Sequence, residues 1–293
     1  MPSKDGKAIF AIGTSRRAEV VRYDTRNREF VPYLAGNSGE GLAFSHDRQW
    51  VTYTSYPDGT LWRSKVDGSE RFQLTFPPLR VMLPRWSPDG RQIAFNAALT
   101  GAIWNIYLIS SEGGTPRQIL PSEQSQMDAN WSPDGNSLVF ASASVRDTPV
   151  STIDLKTRHV TTLPGSTGLY SPHWSPDGRY IAAITTTLPH KLMLFDFSTQ
   201  QWTEAFAFET SYETWSRDGK YIYFQSCSVD DSCHILRFRL RDRGIEKMVD
   251  VSNIGRLPAD SAGGWFGLAP DDSPLVARNI STQEIYALEM DWR

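Results

Sequence analysis

Histidine and cysteine are scarce in this chain, with five and two in 293 residues. Two cysteines are too few for a disulfide scaffold, and Cys227 and Cys233, in CSVDDSC, lack the CxxC spacing of a metal site. No apolar run reaches the roughly 18–20 residues that a membrane-spanning helix needs. The formal net charge is −3, so no basic field draws in nucleic acid. The first residues, MPSKDGKAIFAIGTS, lack the charged, apolar and small-residue regions of a signal peptide, and the expectation is a soluble chain without an address label. No G-x-S-x-G occurs, and no α/β region is left to hold a hydrolase domain, which sets aside the peptidases that pair a propeller with one. Apolar residues recurring every 3.6 positions, the mark of a helix, are also missing.

What the chain does have is repetition. WSPDG stands at Trp86–Gly90, Trp131–Gly135 and Trp174–Gly178. Weaker copies are FSHDR (44–48), WSRDG (215–219), LAPDD (268–272) and PSKDG (2–6). Their aspartates are Asp5, Asp47, Asp89, Asp134, Asp177, Asp218 and Asp271, at intervals of 42, 42, 45, 43, 41 and 53 residues. A period of about 40–45 residues is that of a β-propeller blade. Each turn is followed by a β-rich run, such as QIAFNAA (92–98) or YIYFQSC (221–227), then a second and a short third. With the stretch leading into each Trp, that makes four strands per blade. The expected fold is all-β, a single propeller over residues 1–293. Its units run about 1–37, 38–78, 79–122, 123–166, 167–208, 209–253 and 254–293. The first unit lacks its inner strand and the last its outer one. We therefore expect seven blades with an imperfect closure, or a piece of a longer chain, with six blades plus extra strands as the alternative.

The turn has a physical rationale. Proline presets φ, aspartate bonds to nearby backbone and glycine accepts positive φ. Trp86, Asp89 and Gly90, Trp131, Asp134 and Gly135, Trp174, Asp177 and Gly178, and Trp215, Asp218 and Gly219 are read as scaffold. The aromatics fill the wedge between neighbouring blades and the turns join the innermost strand to the next.

Function then belongs to the residues just ahead of each Trp, at the start of the inner strands. Glu40, Arg85, Asp128, Asn130, His173, Glu213 and Trp265 form a candidate channel ring for a peptide, sugar or metal; a water-filled lining is the plain alternative. His46, His159, His173, His190 and His234 fall at different places in the repeat, and only His173 sits beside a motif Trp. Glu40, Asp128 and Glu213 are the carboxylates that could serve glycoside chemistry. RFRLRDR (237–243) puts Arg237, Arg239 and Arg241 on one strand face. That face is either a patch for an anionic partner or a solvated edge that discourages pairing.

The repeats resemble those of TolB, a periplasmic WD40-like propeller, in which W-S-P-D-G is followed by I-A-F, I-Y and a strand ending L-T. Here these are Trp86–Gly90, Ile93-Ala94-Phe95, Ile106-Tyr107 and, one unit earlier, Leu74-Thr75. VVRYD (20–24), GTLWRS (59–64), LTFPP (74–78), GLAPDDSPL (267–275) and TQEIYAL (282–288) resemble more closely the C-terminal propeller of bacterial, acidobacterial-type regulators with a winged helix and a membrane span. The chain departs from that pattern in having neither. The resemblance implies a non-enzymatic sensing or protein-binding propeller outside the cytoplasm, without a cofactor, with a protein or peptide partner and no nucleic acid bound through this domain. The other functional class is a carbohydrate-active lyase or hydrolase using channel carboxylates or His173. Cys227 and Cys233 flank a hairpin loop and can face each other within bridging range. Two free thiols are the other reading, and the implied compartment favours the bridge.

Overall fold

In the computed structural model, residues 8–120, 124–142, 149–207, 209–228, 232–257 and 264–289 are described. The strands are β1 (Ala8–Ser15), β2 (Ala18–Asp24) and β3 (Glu29–Pro32), then five complete blades in chain order. Blade one is β4 (Gly39–Phe44), β5 (Trp50–Ser55), β6 (Leu61–Lys65) and β7 (Phe72–Gln73). Blade two is β8 (Arg80–Trp86), β9 (Gln92–Ala98), β10 (Asn105–Ser110) and β11 (Arg117–Gln118). Blade three is β12 (Gln126–Trp131), β13 (Ser137–Ser142), β14 (Ser151–Asp154) and β15 (Val160–Thr162). Blade four is β16 (Leu169–Trp174), β17 (Tyr180–Thr185), β18 (Lys191–Asp196) and β19 (Gln201–Ala207). Blade five is β20 (Ser211–Trp215), β21 (Tyr221–Cys227), β22 (Cys233–Arg239) and β23 (Ile245–Asp250), and β24 (Phe266–Leu268), β25 (Pro274–Asn279) and β26 (Thr282–Glu289) end the chain.

The expectation of seven blades is corrected to six. The first and last sequence units are two parts of one sheet, in the order β24-β25-β2-β3. The C-terminal end supplies the two inner strands and the N-terminal end the two outer ones, which closes the ring and removes the open edges. Each unit thereby has one strand too many, and the two surplus strands, β1 and β26, pair with each other. The β2–β25 ladder, with Ala18 opposite Asn279, continues in the same register as Ser15 opposite Thr282. This two-stranded ribbon runs out of the sixth blade and is open to solvent, with Ile12 68% and Ile285 75% exposed. The copy at Asp5 lies outside the described residues.

Six apolar clusters fill the spaces between blades, one for each interface. Strand alternation makes this possible, since successive side chains face opposite neighbours. On β2, Val20 packs toward blade one and Val21 toward blade five. The motif tryptophans link blades by hydrogen bonds as well as by area. The indole Nε1 of Trp86 donates to Ala43 O, that of Trp131 to Arg85 O and that of Trp215 to His173 O, each at 3.0 Å. Each acceptor sits one residue before the Trp or Phe of the preceding blade. Trp174 departs from the rule. Its indole donates to Gly178 O in its own turn, and its ring stacks on Phe197 with centroids 5.3 Å apart.

The turn chemistry is as the residue types dictate. In the first full copy, Ser87 Oγ donates to Asp89 Oδ1 at 2.6 Å and accepts from Gln92 N, while Arg91 N donates to the same carboxylate. These bonds hold the Asp89 carboxyl below its ordinary range. Gly90, Gly135, Gly178 and Gly219 have φ between 69° and 76°, where a Cβ is strained. Successive turns also pack together, since a Cβ on Gly135 would stand 3.5 Å from Pro88 of the preceding blade.

Candidate functional site

The inner strands reach the channel through a repeated distortion. Gly41, Leu83, Asp128, Ser171 and Tyr212 all have φ between 52° and 64°. Each lies three residues ahead of Phe44, Trp86, Trp131, Trp174 or Trp215, and at each the register with the second strand shifts. This is a β-bulge, which inserts one residue, bends the strand and re-aims its side chains. Four of the five residues are not glycine, so each stores strain of about 1–3 kcal/mol that the surrounding packing holds in place.

The bulges open a cavity of about 660 Å³ at the centre of the ring. Of the seven residues predicted from sequence, Arg85, Asp128, His173, Glu213 and Trp265 line it together. Glu40 and Asn130 do not, which corrects the predicted ring. Glu40 precedes its bulge and lines a separate crevice with Thr54, Tyr56 and Arg80. The side chain of Asn130 accepts the backbone N–H of Trp174 at 2.9 Å and so ties blade three to blade four.

Burial dominates the electrostatics. It drives the His173 imidazole down to about 3, helped by the Arg85 cation, so the ring is neutral. Burial raises the Asp128 carboxyl, against the pull of Arg85 and the Ser171 hydroxyl. It raises Glu213 well above the carboxylate range, with Asp128 adding to the rise. Arg85 is pushed down by burial and pulled back by Asp128 and Glu213. Its guanidinium donates to Pro84 O at 3.1 Å. Burial also pushes Tyr212 up to about 12.

Several lining residues escaped the sequence reading. Leu83, Ser171 and Tyr212 occupy the bulge position, and Tyr170 stands one residue earlier on its strand. Their shared offset from the motif Trp is the signal that finds them. The rim is built from degenerate turns. Arg217 replaces the motif proline and donates to His46 O at 2.8 Å, and His46 itself replaces that proline in blade one. The backbone N–H of Arg217 donates to Asp272, which takes the place of the motif glycine with φ 61°.

The remaining candidates lie away from the cavity. Cys227 and Cys233 face each other across β21 and β22 and are joined as a disulfide. The arginines of RFRLRDR meet carboxylates of their own blade: Arg237 meets Glu246, Arg239 meets Asp242 and Glu246, and Arg241 meets Asp242. Among the described residues, no cluster of three or more His, Cys, Asp or Glu is placed to hold a metal, and no helix is long and apolar enough to cross a membrane.

Comparison with known proteins follows the same lines. Residues 41–185 match the TolB beta propeller domain. An uncharacterized protein of Agrobacterium fabrum is 31% identical over 155 residues, which is 48% of this chain and 53% of the relative, so the chain spans about half of that protein's length. The structure of a putative TolB from Agrobacterium tumefaciens has a TM-score of 0.71 at 20% identity, covering 91% of this chain and 99% of the other. An oligogalacturonate lyase from Vibrio parahaemolyticus has a TM-score of 0.59 at 13% identity, covering 93% and 98%. At such identities the two structures speak to the fold alone. The chain is a β-propeller of six four-stranded blades, and residues 41–185 of it match the TolB beta propeller domain.

Proposed function

We propose that this propeller is a non-enzymatic binding module that takes a protein or peptide segment at its channel mouth. The observation that carries the reading is the 660 Å³ cavity, where the strained strand starts of different blades present Tyr, Trp, Arg and carboxyl groups to one space. Aromatic walls with a few placed polar groups are the usual make-up of a recognition site. An extracytoplasmic setting is supported by the Cys227–Cys233 disulfide, a bond that persists in oxidising compartments. The resemblance to propellers of winged-helix membrane regulators supports a sensing role within a larger protein.

Thr214→Arg tests the site, because it drives a long cation into the cavity that Thr214 lines. Wild type is expected to capture a partner from periplasmic extract and the variant to lose it. Equal capture by both would refute the channel mouth as the binding face.

A second reading is favoured by the raised carboxyls of Asp128 and Glu213 beside His173, which suit a carbohydrate-active lyase or hydrolase. Turnover of an acidic or neutral polysaccharide that Glu213→Gln abolishes would establish it in place of the first.

A further inference from the structure

One position of the inner strands is apolar in every blade but one. Two residues before the motif Trp, the other blades carry Leu42, Pro84, Ala129, Pro172 and, ahead of Leu268, Phe266, all buried and all apolar. Blade five carries Glu213 there. It is 1% exposed, and neither of its carboxyl oxygens has a partner at full hydrogen-bond geometry, the Ser171 hydroxyl making only a weaker contact. An orphaned carboxyl in a position that is otherwise apolar calls for an explanation in ligand or function.

Its surroundings supply one. The titratable and charged groups facing it are Asp128 on β12, Arg85 on β8, Tyr170 and His173 on β16, and Tyr212 on its own strand. The Ser171 hydroxyl acts on both the Asp128 and the Glu213 carboxyls. His173 is neutral, so Arg85 is the one fixed cation of this inner set against two carboxyls. One carboxylate balances Arg85 and the other is surplus. In the free protein the surplus is removed by a proton on Glu213. A ligand cation removes it equally well, and the inner set then balances at two charges of each sign.

We propose that the channel mouth receives a primary alkylammonium group, held by Asp128, Glu213 and the Ser171 hydroxyl, and that its arrival displaces a proton from Glu213. This deepens the binding role proposed above and rests on it. An ammonium has three N–H donors, which match those three acceptor groups. The tyrosines at 170 and 212 add aromatic walls, which favour a cation over a neutral group. Because the bound form needs Glu213 ionised while the free form holds it protonated, affinity rises with pH until Glu213 ionises in the free protein as well.

Calorimetry of the whole chain with cadaverine, in buffers of different ionisation enthalpy, tests this. Expected for wild type are release of about one proton per site and affinity that tightens as pH rises, by up to about tenfold per pH unit. Glu213→Gln is expected to lose the proton release and the pH slope and to weaken binding at least about tenfold. Pentanol is expected not to bind. A blocked Gly-Lys-Gly peptide that competes with cadaverine would place the ammonium on a protein side chain; a failure to compete would place it on a free amine. Absence of saturable heat with millimolar cadaverine overturns the proposal, as does binding without proton release. If capture of a partner at the mouth persists in that case, the binding reading stands and only the ammonium assignment falls.

Discussion

Replacing Glu213 by leucine is expected to stabilise the protein while removing its proposed ligand contact. The carboxyl is 1% exposed and neither oxygen has a partner at full hydrogen-bond geometry, a condition that costs about 1–3 kcal/mol. Leucine already occupies the equivalent site of blade one, at Leu42, where it is buried against its neighbours. Removing the penalty should recover about 1–3 kcal/mol. At about 2–4 °C per kcal/mol for a large domain, Tm should rise by roughly 2–12 °C. The pH dependence has a definite sign. The Glu213 pKa is raised in the folded state, so the folded protein binds the proton more tightly than the unfolded chain does. That contribution is complete below the unfolded value and is lost as pH rises through the folded one. The gap in Tm between Glu213→Leu and wild type must therefore widen as pH rises. Circular-dichroism melts across a pH series read both quantities. A variant that melts lower than wild type, or a gap that narrows with rising pH, would show that the carboxyl is satisfied in its site.

Other consequences are checked by the same melts. Trp131→Phe removes the donation to Arg85 O and should cost about 1–2 kcal/mol, whereas Trp174→Phe, whose indole bonds within its own turn, should cost less than half as much. His173, driven down to about 3, is neutral when folded and ordinary when unfolded, so stability is complete above about 6.5 and drains as pH falls toward 3. His173→Gln should flatten that acid limb, and an unchanged limb would assign acid unfolding to other groups. Reducing Cys227–Cys233, which closes a loop of sequence separation 6, should lower stability by about 2 kcal/mol. Thiol alkylation before and after reduction reads the bond directly, and labelling of both cysteines without reductant would contradict it.

The repeat was legible because its determinants are local. Ser, Pro, Asp and Gly set the turn within five residues, and the Trp beside them marks the end of the inner strand. The blade count was not legible, because β1 and β26 carry the same apolar runs as blade strands. Only the pairing of Val21 with Val276, far apart in sequence, decides which runs enter the ring. The site was legible as far as counting back from the Trp allows. That count gathered Arg85, Asp128, His173, Glu213 and Trp265. It misplaced Glu40, which lines a separate crevice although its counterparts Tyr170 and Ser211, at the same offset, line the cavity. Asn130 shares its offset with Arg85 and His173, yet its short amide reaches the backbone of the next blade instead of the cavity.

The closing sheet also dictates when the molecule can come into being. β2 and β3 are made before the five complete blades, and their partner β25 is made after them. Until then the N-terminal strands have no ladder to join, and blades one and five lack the neighbour that covers Leu42, Tyr223 and Ile235. Closure of the ring thus waits for β25 and rests on one long-range pairing, between the two parts of the sixth sheet.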